Sequence, residues 1–327
     1  MPTASFAAAL ISLAMATGPG TGPTVLFRLQ DPALEESSGL AVSQLHDGVV
    51  WSHPDGGDMA EVMAVDGRGR TVATVRLRGV DPYDPEALAS GHMSDGRPAL
   101  FLGDIGDNRA RRPDISVFRF VEPRRLADQT VGRTWWKLTY PDGPKDAEAL
   151  LVDPRDGRIW VATKDVFGGG LYRAPRRLRT DRVNALERVG DVPGLVTDGA
   201  FLPDGRFVLR TYTMAYLYDA PDRLSARSLL PDQEQGESLA VDGDRLLVGS
   251  EGRKSAVYSV PLPGGDASPE ASASTSGSPS TPAAEPGNRA RPDAGVSWPA
   301  VGLSLLGAAV VAAALARLLR GRARARR

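Results

Sequence analysis

An acidic residue opening a short apolar run recurs five times along this 327-residue chain, and no other feature restricts its fold as much. The copies are Glu36-Ser-Ser-Gly-Leu-Ala-Val, Glu86-Ala-Leu-Ala, Glu148-Ala-Leu-Leu-Val-Asp, Asp198-Gly-Ala-Phe-Leu and Glu237-Ser-Leu-Ala-Val-Asp, spaced by 50, 62, 50 and 39 residues. Three copies continue into Asp156-Gly157, Asp204-Gly205 and Asp242-Gly243, the chemistry of a tight hairpin turn. A β-rich run follows in every copy, at Val49–Trp51, Ala99–Leu102, Ile159–Val161, Phe207–Leu209 and Leu246–Val248. Alternating third runs, such as Val117–Phe120 and Val257–Val260, and fourth runs at Thr71–Leu77, Thr134–Thr139, Ala185–Val189 and Ser225–Leu230 complete four-stranded units. Such units, repeated with little helical periodicity, predict an all-β β-propeller. The last copy lacks a fourth strand, whereas a spare run, Thr24–Leu29, precedes the first; pairing the two closes the ring and hides its edges. Residues 24–263 then supply 48 residues for each of five blades. A sixth blade has room only between Asp104 and Asp146.

The Glu36-Ser-Ser-Gly-Leu-Ala opening and Gly103-Asp-Ile-Gly-Asp-Asn108 resemble exported actinobacterial propellers that end in a Pro/Ser stalk and a membrane helix. The general look is similar to secreted five- or six-bladed propellers of the esterase-like phytase, gluconolactonase-like and NHL-type groups. This resemblance spans nearly the whole chain and implies an architecture more than a chemistry. No Trp-Asp repeat signature is present, which disfavours the WD40 class.

The two ends predict a location. Residues 1–16 carry an export-signal pattern, an apolar run over 4–16 closing on Ala14-Met15-Ala16, although no Lys or Arg precedes it. Residues 264–296 are rich in Ser, Pro, Ala and Thr and cannot bury enough apolar surface to offset ordering, so a disordered stalk is expected. Residues 297–316 are uncharged and long enough for a transmembrane helix, and residues 317–327 carry six Arg. Positive charge marks the cytoplasmic side, so the expectation is a single-pass cell-membrane protein, ectodomain outside and C-terminus inside. No LPxTG-type pentapeptide is present, which favours a membrane anchor without wall attachment.

Composition excludes several chemistries. The chain has no Cys, which removes disulfides, thiolate metal sites and a Cys nucleophile, and its three His leave little for a zinc site. Without the six C-terminal Arg, 33 basic groups face 40 acidic ones, so the body is not built for nucleic acid. G-x-S-x-G, P-loop, G-x-G-x-x-G and H-E-x-x-H motifs are absent.

In a propeller the loops entering the innermost strands share one end of the channel with the loops joining second and third strands. That rim gathers Glu36, Glu86, Glu148, Asp198 and Glu237, together with His53, Asp104, Asp107, Asn108, Lys164, Arg210 and Tyr212. Clustered carboxylates repel unless a cation sits among them, and hard oxygen donors suit Ca²⁺. The competing reading is that each acid caps backbone amides and welds blades together; repetition in every blade favours it. Asp104, Asp107 and Asn108 read equally as a ligand loop or an Asx-turn. Lys164 and Arg210 either bind an anion or neutralise the acids, with neutralisation favoured. His53 is a candidate base but more simply a solvated loop residue, and Tyr212 a packing residue. The leading expectation is a non-catalytic surface propeller binding a ligand or a surface protein on its rim. The alternative is a calcium-dependent hydrolase of phosphoester, ester or lactone substrates.

Overall fold

The computed structural model describes residues 22–55 and 59–265. The expected export signal (1–16), transmembrane helix (297–316), basic tail (317–327) and the stalk beyond Gly265 lie outside them. Among the described residues no helix is long and apolar enough to cross a membrane.

After β1 (Thr24–Arg28), blade 1 is a meander of β2 (Ser37–Val42), β3 (Val50–Pro54), β4 (Glu61–Val65) and β5 (Thr71–Leu77). Blade 2 contains β6 (Pro85–His92), β7 (Pro98–Asp104) and β8 (Ile115–Val121); the chain then makes short β9 (Gln129–Val131) before the outer strand β10 (Thr134–Thr139). Blade 3 has β11 (Ala147–Val152), β12 (Ile159–Thr163) and β13 (Gly169–Arg173), then short β14 (Asn184–Ala185) before its outer β15 (Glu187–Val192). Blade 4 is β16 (Val196–Phe201), β17 (Phe207–Thr211), β18 (Met214–Ala220) and β19 (Arg223–Leu229). Blade 5 is β20 (Gln235–Asp242), β21 (Arg245–Glu251) and β22 (Ala256–Pro261), completed by β1.

The closure is antiparallel, with Thr24 opposite Ser259 and Arg28 opposite Ala256. Phe27 and Leu29 of the closing segment pack with Leu40, Val50 and Met63 of blade 1 and Leu247 and Val257 of blade 5. One apolar layer of this kind fills each of the five blade boundaries. Burying each large aliphatic or aromatic side chain there contributes about 1.5–3 kcal/mol before conformational entropy is charged against it.

The long second copy holds no sixth blade. Its extra length forms β9, which adds in parallel to the outer edge of blade 1, with Val75 opposite Gln129. Likewise Ala185–Val189, expected as one strand, is split. Asn184 and Ala185 pair in parallel with Leu138 and Thr139 of blade 2, and only from Glu187 does the chain join blade 3. Both additions cover edges that would otherwise expose unpaired backbone groups. The expected Asp-Gly turns form, with Gly157 and Gly205 at φ of 69° and 89°, where a Cβ would be strained.

Candidate functional site

The inner strands β2, β6, β11, β16 and β20 line the axis, and each begins with a bulge. One extra residue interrupts the pairing between Ser37 and Gly39, Pro85 and Ala87, Ala147 and Ala149, Val196 and Asp198, and Gly236 and Leu239. A bulge bends its strand and re-aims one side chain. In blades 2 and 3 the re-aimed residue is Glu86 or Glu148, and in blade 5 Glu237 lies within the bulge. In blade 1 it is Ser38, leaving Glu36 half-buried before the strand; in blade 4 it is Thr197, with Asp198 next to it. The acidic repeat does not mark Ser38 or Thr197, because a bulge shifts register without changing composition.

Most rim groups are engaged across blade boundaries or along their own blade. Lys164 Nζ lies 2.5 Å from Glu148 Oε1 and 5.1 Å from the Tyr212 ring centroid. Burial, with Glu237 nearby, pushes the Tyr212 hydroxyl up to about 12. Glu237 Oε1 accepts from Gln235 Nε2 at 2.8 Å. Asp198, fully buried, accepts from the amides of Gly199 at 2.7 Å and Leu239 at 2.6 Å. Burial holds its carboxyl well above the usual range, with these amides and Arg210 pulling the other way. Arg210 is also sealed from solvent and donates to the carbonyls of Ser238 and Gly249, both at 2.9 Å, and to Gln233 Oε1 at 3.1 Å. Burial lowers its pKa to about 10. A guanidinium so enclosed fastens blade 4 to blade 5.

The Asp/Asn loop is built as a turn. Asp107 Oδ2 accepts from the Arg111 and Arg112 amides at 2.6 and 2.7 Å, and Arg112 Nη1 donates to Asp104 Oδ1 at 2.9 Å. Asn108 is exposed. His53, expected on a loop in solvent, is buried on β3, because Gly39 opposite leaves room for its ring. Its Nδ1–H donates to the Pro54 carbonyl at 3.0 Å, and burial lowers its pKa to about 4. The imidazole is therefore neutral at physiological pH.

Among the described residues, one cluster of carboxylates could hold a cation. Carboxylate oxygens of Asp55, Asp84 and Glu86 lie within 4.8 Å of one another at the boundary of blades 1 and 2. Hard carboxylate oxygens at this spacing suit a divalent cation. Asp104 supports the cluster by accepting the Asp84 amide at 3.0 Å. Gly106 admits it: a Cβ there would lie 2.4 Å from Asp84 Oδ2 and 2.8 Å from Glu86 Cγ. Of the five repeated acids only Glu86 belongs to this group. Asp84 was not singled out in the sequence, although the Asp84-Pro85-Glu86 spacing was visible.

Large apolar side chains also stand exposed at this end. Phe167 is 99% exposed and Val166 58% on the β12–β13 loop, Tyr83 is 69% exposed on the loop entering β6, and Met59 is 53% exposed before β4. The opposite end of the channel opens as a cavity of about 810 Å³, lined by the inner strands and their hairpins.

No protein-family model and no curated protein sequence matches the chain. Among solved structures it is similar to a gluconolactonase from Xanthomonas campestris (15% identity, TM-score 0.42, covering 76% of this chain and 99% of that one). It is also similar to the PQQ-bound aldose sugar dehydrogenase of Streptomyces coelicolor (12% identity, TM-score 0.42, 74% and 99%) and to a chain of a nidogen/laminin complex (15% identity, TM-score 0.38, 65% and 72%). Likenesses this distant carry no argument about activity, and propellers host unrelated functions. The chain's own sheet order and its closing strand make it a five-bladed propeller.

Proposed function

We propose that this protein is a non-catalytic cell-surface propeller that binds a ligand or partner protein on its acidic rim. The observation that carries this reading is the set of exposed apolar side chains, Phe167, Val166, Tyr83 and Met59, on three loops of one end. Large apolar and aromatic side chains gathered at one end can serve as anchors when a partner covers them. Support also comes from the engagement of Lys164, Arg210 and Asp198 within the fold, which leaves them little freedom for chemistry. The surface location rests on the export-signal pattern and the apolar, Arg-flanked C-terminal segment.

A specific observation favours a second reading, a calcium-dependent hydrolase. Asp55, Asp84 and Glu86 would hold the ion, which would lower the pKa of a bound water. The experiment that separates the two uses a photo-crosslinking residue at position 167 and another at position 224, exposed on the outer strand β19 at the opposite end, in intact cells. A discrete adduct from 167 and none from 224 supports binding. Turnover of chromogenic phosphoester, ester or lactone substrates with Ca²⁺, lost in Asp84→Asn, would overturn it.

A further inference from the structure

We propose that the cavity at the hairpin end of the channel binds a small organic anion, a carboxylate or phosphate ester on an apolar body, with Arg119 and Arg158 as its charge anchors. This end lies across the channel from the acidic rim, and the inference does not depend on the reading of that rim.

Charge on the cavity wall is unevenly matched. Arg155 and Arg176 are neutralised there by Asp153 at 2.7 Å and Asp156 at 2.9 Å. Arg119 and Arg158 have no ion-pair partner among the described residues. Arg119 projects from β8 with its guanidinium carbon 4.8 Å from the centre of the Trp136 ring, and its buried Nε has no hydrogen-bond partner. The ring packs against the guanidinium, and the remaining donors of an Arg are the groups that receive a carboxylate or phosphate. Arg158 donates its Nε to the Ala174 carbonyl at 3.1 Å. Burial, then the neighbouring Arg173 and Arg176, lowers the pKa of Arg158, and burial lowers that of Arg119. Both groups would gain from an arriving negative charge.

The remaining wall selects against a bare inorganic ion. Phe101, Trp136, Val152, Leu178 and Phe201 line the same space, and about 810 Å³ lies within the range of drug-sized ligand sites. An apolar body fills that volume while the anionic group meets the arginines.

The test titrates the full chain with benzoate, phenyl phosphate, inorganic phosphate and uncharged benzyl alcohol, following Trp fluorescence and thermal midpoint. Fragments of this size are expected to bind at about millimolar concentration. Benzoate or phenyl phosphate should bind, and whichever is tighter identifies the anion class. Benzyl alcohol and inorganic phosphate should bind at least about tenfold more weakly. Arg119→Met and Arg158→Met should each weaken the organic anion about tenfold, the loss of a charged hydrogen bond. Arg119 is partly exposed, so its variant should fold, and an unchanged circular dichroism spectrum checks this. Asp84→Asn at the rim should leave anion binding intact. Equal binding of benzoate and benzyl alcohol, binding unaffected in both Arg variants, or no binding of either organic anion would overturn the proposal.

Discussion

Asp198 of blade 4 reaches across a blade boundary to accept the Leu239 amide of blade 5 at 2.6 Å, while its other oxygen takes the amide of Gly199. One buried carboxylate thus satisfies two backbone donors exposed by the bulges. Asp198→Ala should strand both amides out of reach of water and cost about 2–4 kcal/mol. Equilibrium urea unfolding measures this, and a change within noise would show that the contact is dispensable.

The buried Lys164–Glu148 pair should display the asymmetry of ion pairs removed from water. Glu148→Gln removes the carboxylate that the Lys164 ammonium meets at 2.5 Å, and Lys164→Met removes the cation that Glu148 meets there; each should destabilise by about 3 kcal/mol. The double variant should recover much of that loss. Additive losses across the cycle would mean that the two groups are not energetically coupled.

His53 predicts an acid limb of stability. Its folded pKa, about 4, lies below the ordinary 6.5, so the unfolded chain binds the proton more readily. The resulting stabilisation is complete above pH 6.5 and is lost as pH falls toward 4, amounting to about 3 kcal/mol. His53→Gln should flatten the curve in that window. Denaturant midpoints at several pH values would reveal an unaltered slope if the histidine were not responsible.

Phe27 anchors the closing strand against both blade 1 and blade 5. Phe27→Ala should cost about 3–5 kcal/mol. Phe27→Asp should also release β1 and enlarge the molecule in small-angle scattering. A variant with wild-type dimensions and midpoint would show that the ring holds without this strand.

Calcium should raise the thermal midpoint relative to a chelator. Gly106→Ala, whose methyl group would press on Asp84 and Glu86, should abolish that increment. Persistence of the increment in Gly106→Ala would place the ion elsewhere.

Strand formation was legible locally. Alternation over Thr71–Leu77 and Thr134–Thr139 marked β5 and β10 at their observed limits, and the missing fourth run of the last copy pointed to Thr24–Leu29 as its partner. These signals need only neighbours two residues apart and the requirement that a sheet edge be covered. The chain itself therefore determined five meanders and their closure. Three-dimensional packing alone decided that Ser38 and Thr197 occupy the bulges, that Asp84 and Asp55 join Glu86, and that Arg210 is walled in. It also placed the open cavity at the hairpin end, away from the acids. Each of these depends on which residue of one blade faces which residue of the next, and closing the ring sets that relation across separations no local pattern spans.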